Sequence, residues 1–252
     1  MTLMTICLSA LFVSMKILNT NSNIQPYEIT YWQGLSSFFT FTIILYYLQT
    51  DKTDNFSVPK GARLPLVMRG LFGFCGNISA ATSTKLTSLA NFTVIQYTNP
   101  IFIAFLGVIL LKEHLSLFDY VLILTTFLGV VTFTSDQLTV FTLSFRDLLG
   151  MSMALSCAIW TALAMMTIRL VGGRTHPLML GLSWSMANVF LSPLLLLMSG
   201  HVSAEYGWFE VRHIAFICLM NVLCQVFLTL AFIKEKAARV APIGAFQLII
   251  NC

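Results

Sequence analysis

Between Phe92 and Leu111 the chain runs twenty positions without a charged residue. As a helix rising about 1.5 Å per residue, that stretch is about 30 Å long, the thickness of a bilayer's hydrocarbon core. The sequence therefore predicts a membrane span here. Inside it stands Pro100, preceded by Asn99 and by Gln96 one turn earlier. The proline ring removes a backbone donor and frees the carbonyl of Gln96, so a kink flanked by polar groups is expected in mid-membrane. Such a place can hold a solute. The span stops at Lys112-Glu113-His114, and Ser116 with Asp119 three residues on reads as the capped start of the next helix.

The rest of the chain is built from the same material. It is 57% hydrophobic and 10% charged, where a soluble domain has about a quarter of its residues charged, and its mean hydropathy is +0.84. The expected fold class is all-α integral membrane, a polytopic helical bundle. The net charge of +4 does not point to nucleic acid: the fourteen Lys and Arg stand singly at span ends, with no basic run. Cys7, Cys75, Cys157, Cys218, Cys224 and Cys252 show no metal-ligand spacing, and all but the last lie in apolar segments, where a thiol packs as a small apolar group. No metal or cofactor is expected. Met1 to Leu18 has no basic leader or small-residue cleavage site and reads as the first span.

The spans fall at about 2–18, 29–48, 64–83, 92–111 and 117–134, then 148–170, 177–198 and 214–233, with a ninth beginning near Ala237. With the amino terminus cytoplasmic, the inward side collects Lys52, Lys60, Arg63, Lys112, Arg169, Arg174, Lys234, Lys236 and Arg239, with Arg69 a turn inside span 3. The outward side has Lys16, Lys85, Arg146 and Arg212. The opposite orientation breaks the positive-inside bias at most loops. A plasma or inner membrane suits the chain better than an organelle.

Sliding the chain on itself by 148 positions sets span 1 on span 6 and the junction of spans 3 and 4 on that of spans 8 and 9, with Ala90 on Ala238 and Ile95 on Ile243. Five spans is an odd number, so the two units, residues 1–135 and 136–252, are expected to be inverted five-helix repeats. The counterpart of Glu113 falls beyond Cys252, so the second repeat is expected to be truncated and the chain a fragment.

No Asp or Glu lies near the middle of a span, where a charge costs roughly 2.5–3.5 kcal/mol on insertion scales. This also leaves no intramembrane proton relay. Uncharged polar and aromatic groups are the site candidates. Gln96 and Asn99 share a face of span 4, Asn221 and Gln225 one of span 8, and Trp184 and Asn188 one of span 7. Asn77 stands on the stripe Gly70, Gly73, Asn77 of span 3, where a neighbouring helix can come close. Trp160 is placed to stack on a flat solute. In the competing reading these groups tie helix to helix, each bond contributing about 0.5–2 kcal/mol, and Trp160 packs. Lys16 either meets an anion or snorkels to the interface. Histidines at 114, 176, 201 and 213 fall at ends or loops, and no His-Glu-x-x-His or Gly-x-Ser-x-Gly is present, so no enzyme is expected.

The segments TSLANFTVIQY, NPIFIAFLGVILLKEHLS and KAARVAPIGAF together resemble the drug/metabolite transporter superfamily, in its EamA-type branch of ten-helix carriers. The resemblance covers nearly the whole chain, though no single motif in it is highly specific. It implies a carrier that moves a small organic solute by alternating access, with spans of both repeats around a central cavity. Members move amino acids, purines, nucleotide sugars and xenobiotics. Many carry an Arg in the outer part of span 2, where this chain has Gln33 in YWQG, so an anion held by that Arg is not implied. Gln33 joins the site candidates. The expected partners are a small-molecule solute and the lipid bilayer, with a homo-oligomer left open. A polar-lined channel and a membrane scaffold remain as alternatives.

Overall fold

The computed structural model describes residues 2–50, 58–96, 98–112, 121, 124–125, 128, 144–171, 175–200 and 206–234. Residues 51–57 of the second loop, most of span 5, span 9 with KAARVAPIGAF, and Glu113 with its Ser116/Asp119 cap lie outside the described residues. The helices whose bounds lie among the described residues are, in order, α1 (Thr2–Asn21), α2 (Pro26–Thr50), α3 (Lys60–Leu86), α4 (Leu89–Gln96), α5 (Asn99–Leu111), α6 (Phe145–Val171), α7 (Pro177–Ser199) and α8 (Trp208–Lys234). Among the described residues there is no strand. Helix α3, the pair α4–α5, and helices α6, α7 and α8 are each long and apolar enough to cross a membrane, and α1 contributes a shorter apolar helix.

The helix ends follow local chemistry. Pro26 and Pro177 open α2 and α7, where a missing N–H costs nothing. His176 Nδ1 accepts from the Leu178 N–H at 3.3 Å and so caps α7. At the other end Gly200 takes φ +66°, the left-handed turn that a residue without Cβ adopts cheaply. Asp147 in the first turn of α6 and Arg169 in its last complement the helix dipole. Lys16 from α1 donates to the carbonyls of Thr84 at 3.0 Å and Thr87 at 2.7 Å, so this cation finishes the carboxyl end of α3 rather than reaching a solute.

Span 4 is broken where a single kinked helix was expected. α4 ends at Gln96, and α5 restarts at Asn99 with Pro100 in its first turn. Between them Thr98 turns back on Ile95, whose carbonyl accepts both the Thr98 N–H at 3.0 Å and its hydroxyl at 2.7 Å. Pro100 stands in the first turn of α5, where its missing N–H costs nothing.

Polarity is distributed as lipid requires. Phe39, Tyr46, Leu64, Phe105, Phe190 and Leu197 face outward, whereas Thr30, Gln33, Ser37, Arg69, Asn188, Ser192 and Asn221 are buried. In hydrocarbon a polar group must find its partner inside the bundle. α3 packs most extensively on α6, α2 on α7 and α1 on α8, and α3 also meets α7 as α2 meets α8. Small residues allow close approach: a Cβ on Gly70 would lie 2.7 Å from the Ser183 carbonyl of α7. Two apolar clusters result. One gathers Ala62 from the start of α3, Val171 from the end of α6, Leu180 from the start of α7 and Leu228 far along α8. The other gathers Leu18 from the end of α1, Ile24 from the turn after it, Phe92 from α4, and Ala81, Ala154 and Ile217 from the opposite ends of α3, α6 and α8.

Candidate functional site

A cavity of about 120 Å³ lies against residues of both apolar clusters. Its walls come from α1, α3, α4, α6, α7 and α8. This is smaller than the roughly 300–1,000 Å³ of pockets that enclose a drug-sized ligand, and it suits a small solute.

Five of the candidates from the sequence line it: Asn77, Gln96, Trp184, Asn221 and Gln225. Two more stand one hydrogen bond behind. Asn77 Nδ2 donates to Gln33 Oε1 at 2.9 Å and to Asn188 Oδ1 at 3.1 Å, and Asn188 Nδ2 donates to the Trp184 carbonyl at 2.8 Å. The amide of Asn77 thus forms cavity wall and ties α3 to α2 and α7 at once. Asn221 Nδ2 donates to Ser37 Oγ at 3.0 Å, linking α8 to α2 in the same way. The two remaining candidates are elsewhere. Trp160 stacks on Phe72, centroids 5.8 Å apart at 25°, between α6 and α3. Asn99 is not in the wall, and its Oδ1 is buried without a partner beside the break in span 4. Gln96 Oε1, at the other edge of the break, is also without a partner and does line the cavity.

The sequence reading passed over Arg69. Counted among the inward-side positive charges, it is in fact 3% exposed and part of the cavity wall. Helix α3 begins at Lys60, earlier than hydropathy alone suggested, which puts Arg69 roughly 14 Å into the helix. Its Nη2 donates to Gln225 Oε1 at 2.9 Å, and its Nε has no acceptor. The signal was there: Arg69, Gly73 and Asn77 recur at four-residue spacing and so share one face. Gly73 lets Arg69 Nη1 and the Trp184 ring lie close against α3, since a Cβ there would collide with both. Thr161 and Cys157 of α6 complete the polar part of the wall, their Oγ1 and Sγ 3.7 Å apart.

These helices and this internal, polar-lined cavity define a multi-pass membrane protein built around a solute-sized space. Residues 1–135 match the EamA-like transporter family, and the chain belongs to that family. It is 27% identical over 205 residues to solute carrier family 35 member G1 of Mus musculus and of Homo sapiens, over 79% of this chain and 56% of each relative. The chain thus spans little more than half the length of those two proteins. A probable transport protein of Saccharomyces cerevisiae is 24% identical over 92% of this chain and 72% of its own length. A protein of known crystal structure shares the fold with a TM-score of 0.71 at 15% identity, over 99% of this chain and 85% of the other.

Proposed function

We propose that the chain is a secondary carrier that moves a small organic solute by alternating access between two inverted repeats, residues 1–135 and 136–252, with its amino terminus cytoplasmic. One observation carries the reading. The 148-residue offset that relates the two halves also relates the cavity faces of α3 and α8: Gly73 to Asn221, Gly76 to Cys224, Asn77 to Gln225 and Ala80 to Leu228, all eight lining the cavity. The helix pairings obey the same exchange, since α1 with α8 becomes α6 with α3, and α2 with α7 maps on itself. Two like halves around one cavity, with an apolar cluster towards either end, supply two gates that need not open together.

Each step then has a physical basis. When one cluster separates, water and solute reach the polar wall; Asn77, Gln96, Asn221 and Gln225 replace the solute's water with fixed hydrogen bonds. Closing that cluster and opening the other releases the solute on the opposite side. The scatter of Lys and Arg supports the stated orientation. Saturable counterflow in proteoliposomes of the full-length protein tests the proposal. Currents far faster than carrier turnover would favour a channel, and neither signal a scaffold.

A further inference from the structure

Resting on the carrier reading above, we propose that the solute is a small organic anion, its carboxylate or phosphate held by Arg69. A buried guanidinium without a counter-ion is costly to keep. Among the described residues Arg69 donates to one acceptor, the neutral amide oxygen of Gln225, and its Nε to none. The three described carboxylates are engaged or stationed elsewhere: buried Glu28 accepts from the Tyr206 hydroxyl at 2.9 Å, while Asp147 and Glu210 stand in the first turns of α6 and α8.

The surroundings of Arg69 offer donors. Over Gly73 lie both Arg69 Nη1 and the edge of Trp184, whose indole Nε1 would be 3.0 Å from a Cβ at that position. Guanidinium and indole carry N–H groups and no acceptor, so what they suit is an oxygen-rich anion, which the planar guanidinium fork can grip in bidentate fashion. Gln96 Oε1 in the same cavity is left to accept from a hydroxyl of the solute. The repeat adds an independent argument. The offset sets Arg69 on Ile217, which is fully buried and apolar, so the cation is not needed to build this kind of helix face.

The test uses the purified full-length protein, with thermal shifts measured for succinate, lactate, glycerol 3-phosphate and uncharged succinamide. At least one anion should stabilise the protein and succinamide should not. Arg69→Gln should weaken that anion at least tenfold, Arg69→Lys should retain part of the effect, and Trp184→Phe, which removes only the indole N–H, should weaken binding less. Should Arg69→Gln fail to fold, the wild-type order of anion over amide and the Lys and Phe variants decide. No anion effect, equal stabilisation by succinamide, or an unchanged anion shift in Arg69→Gln overturns the proposal. Counterflow separates it from the carrier reading: anion binding without exchange overturns the carrier alone, and exchange of an uncharged solute indifferent to Arg69 overturns the anion alone.

Discussion

Helices α3 and α8 both line the cavity, at four pairs of positions 148 residues apart, and four residues before the first of these pairs α3 has Arg69 where α8 has Ile217. Both side chains are buried, at 3% and 0% exposure. Ile217 sits in an apolar cluster with Leu11, Phe12 and Ala154, while Arg69 reaches across to Gln225 of α8 itself. At positions 148 residues apart, one helix thus buries an apolar side chain and the other a charge. On the repeat reading proposed above, the apolar residue shows what packing at that position needs, and the cation is what chemistry adds.

Exchanging the two residues breaks this comparison most severely. Ile217→Arg buries a cation among apolar groups and should cost more than about 3 kcal/mol, the scale for an uncompensated buried charge, read as loss of monodisperse protein in detergent. Arg69→Ile should have the opposite effect on folding, neutral or stabilising by about 1–4 kcal/mol, because an apolar side chain replaces a desolvated charge. Transport should nonetheless fall at least tenfold. Equal destabilisation by both changes would mean that Arg69 is a structural residue.

The smaller differences sharpen it. Gly73→Ala drives a methyl into Trp184 and Arg69 and should cost about 1–3 kcal/mol by overpacking, measured as a lowered unfolding temperature. Its counterpart Asn221→Ala removes one bond to Ser37 and should cost about 1 kcal/mol. Asn77→Leu strands the acceptors of Gln33 and Asn188, so it should destabilise by about 1–3 kcal/mol, less than Gln225→Leu, which takes from the buried Arg69 guanidinium the acceptor it donates to. The least effect is expected for Lys16→Met, about 0.5–1 kcal/mol from the lost finish of α3, with uptake kinetics unchanged.

Much of this was legible beforehand. The charge-free run from Phe92 announced a span, Gly70 and Gly73 announced close packing, and the offset that related the halves later matched the two cavity faces. Hydropathy could not reveal that span 4 breaks into two helices, because Thr98 turning onto the Ile95 carbonyl is a local competition for hydrogen bonds that averages away in a window. Nor could one-dimensional periodicity separate Gln96, which meets the cavity, from Asn99, which does not, since the two belong to separate helices, α4 and α5. Arg69 was missed for a different reason. Positive residues near span ends are explained so readily by membrane orientation that its place on the face of Gly73 and Asn77 was not weighed.

The account stands on the two halves crossing the bilayer in opposite senses around one space. Side-specific labelling of single cysteines introduced at Met4, near the start of α1, and at Phe145, which begins α6, in an otherwise cysteine-free protein measures that directly. Modification of one from the inside and the other from the outside is the predicted result. Both reacting from the same compartment would contradict it.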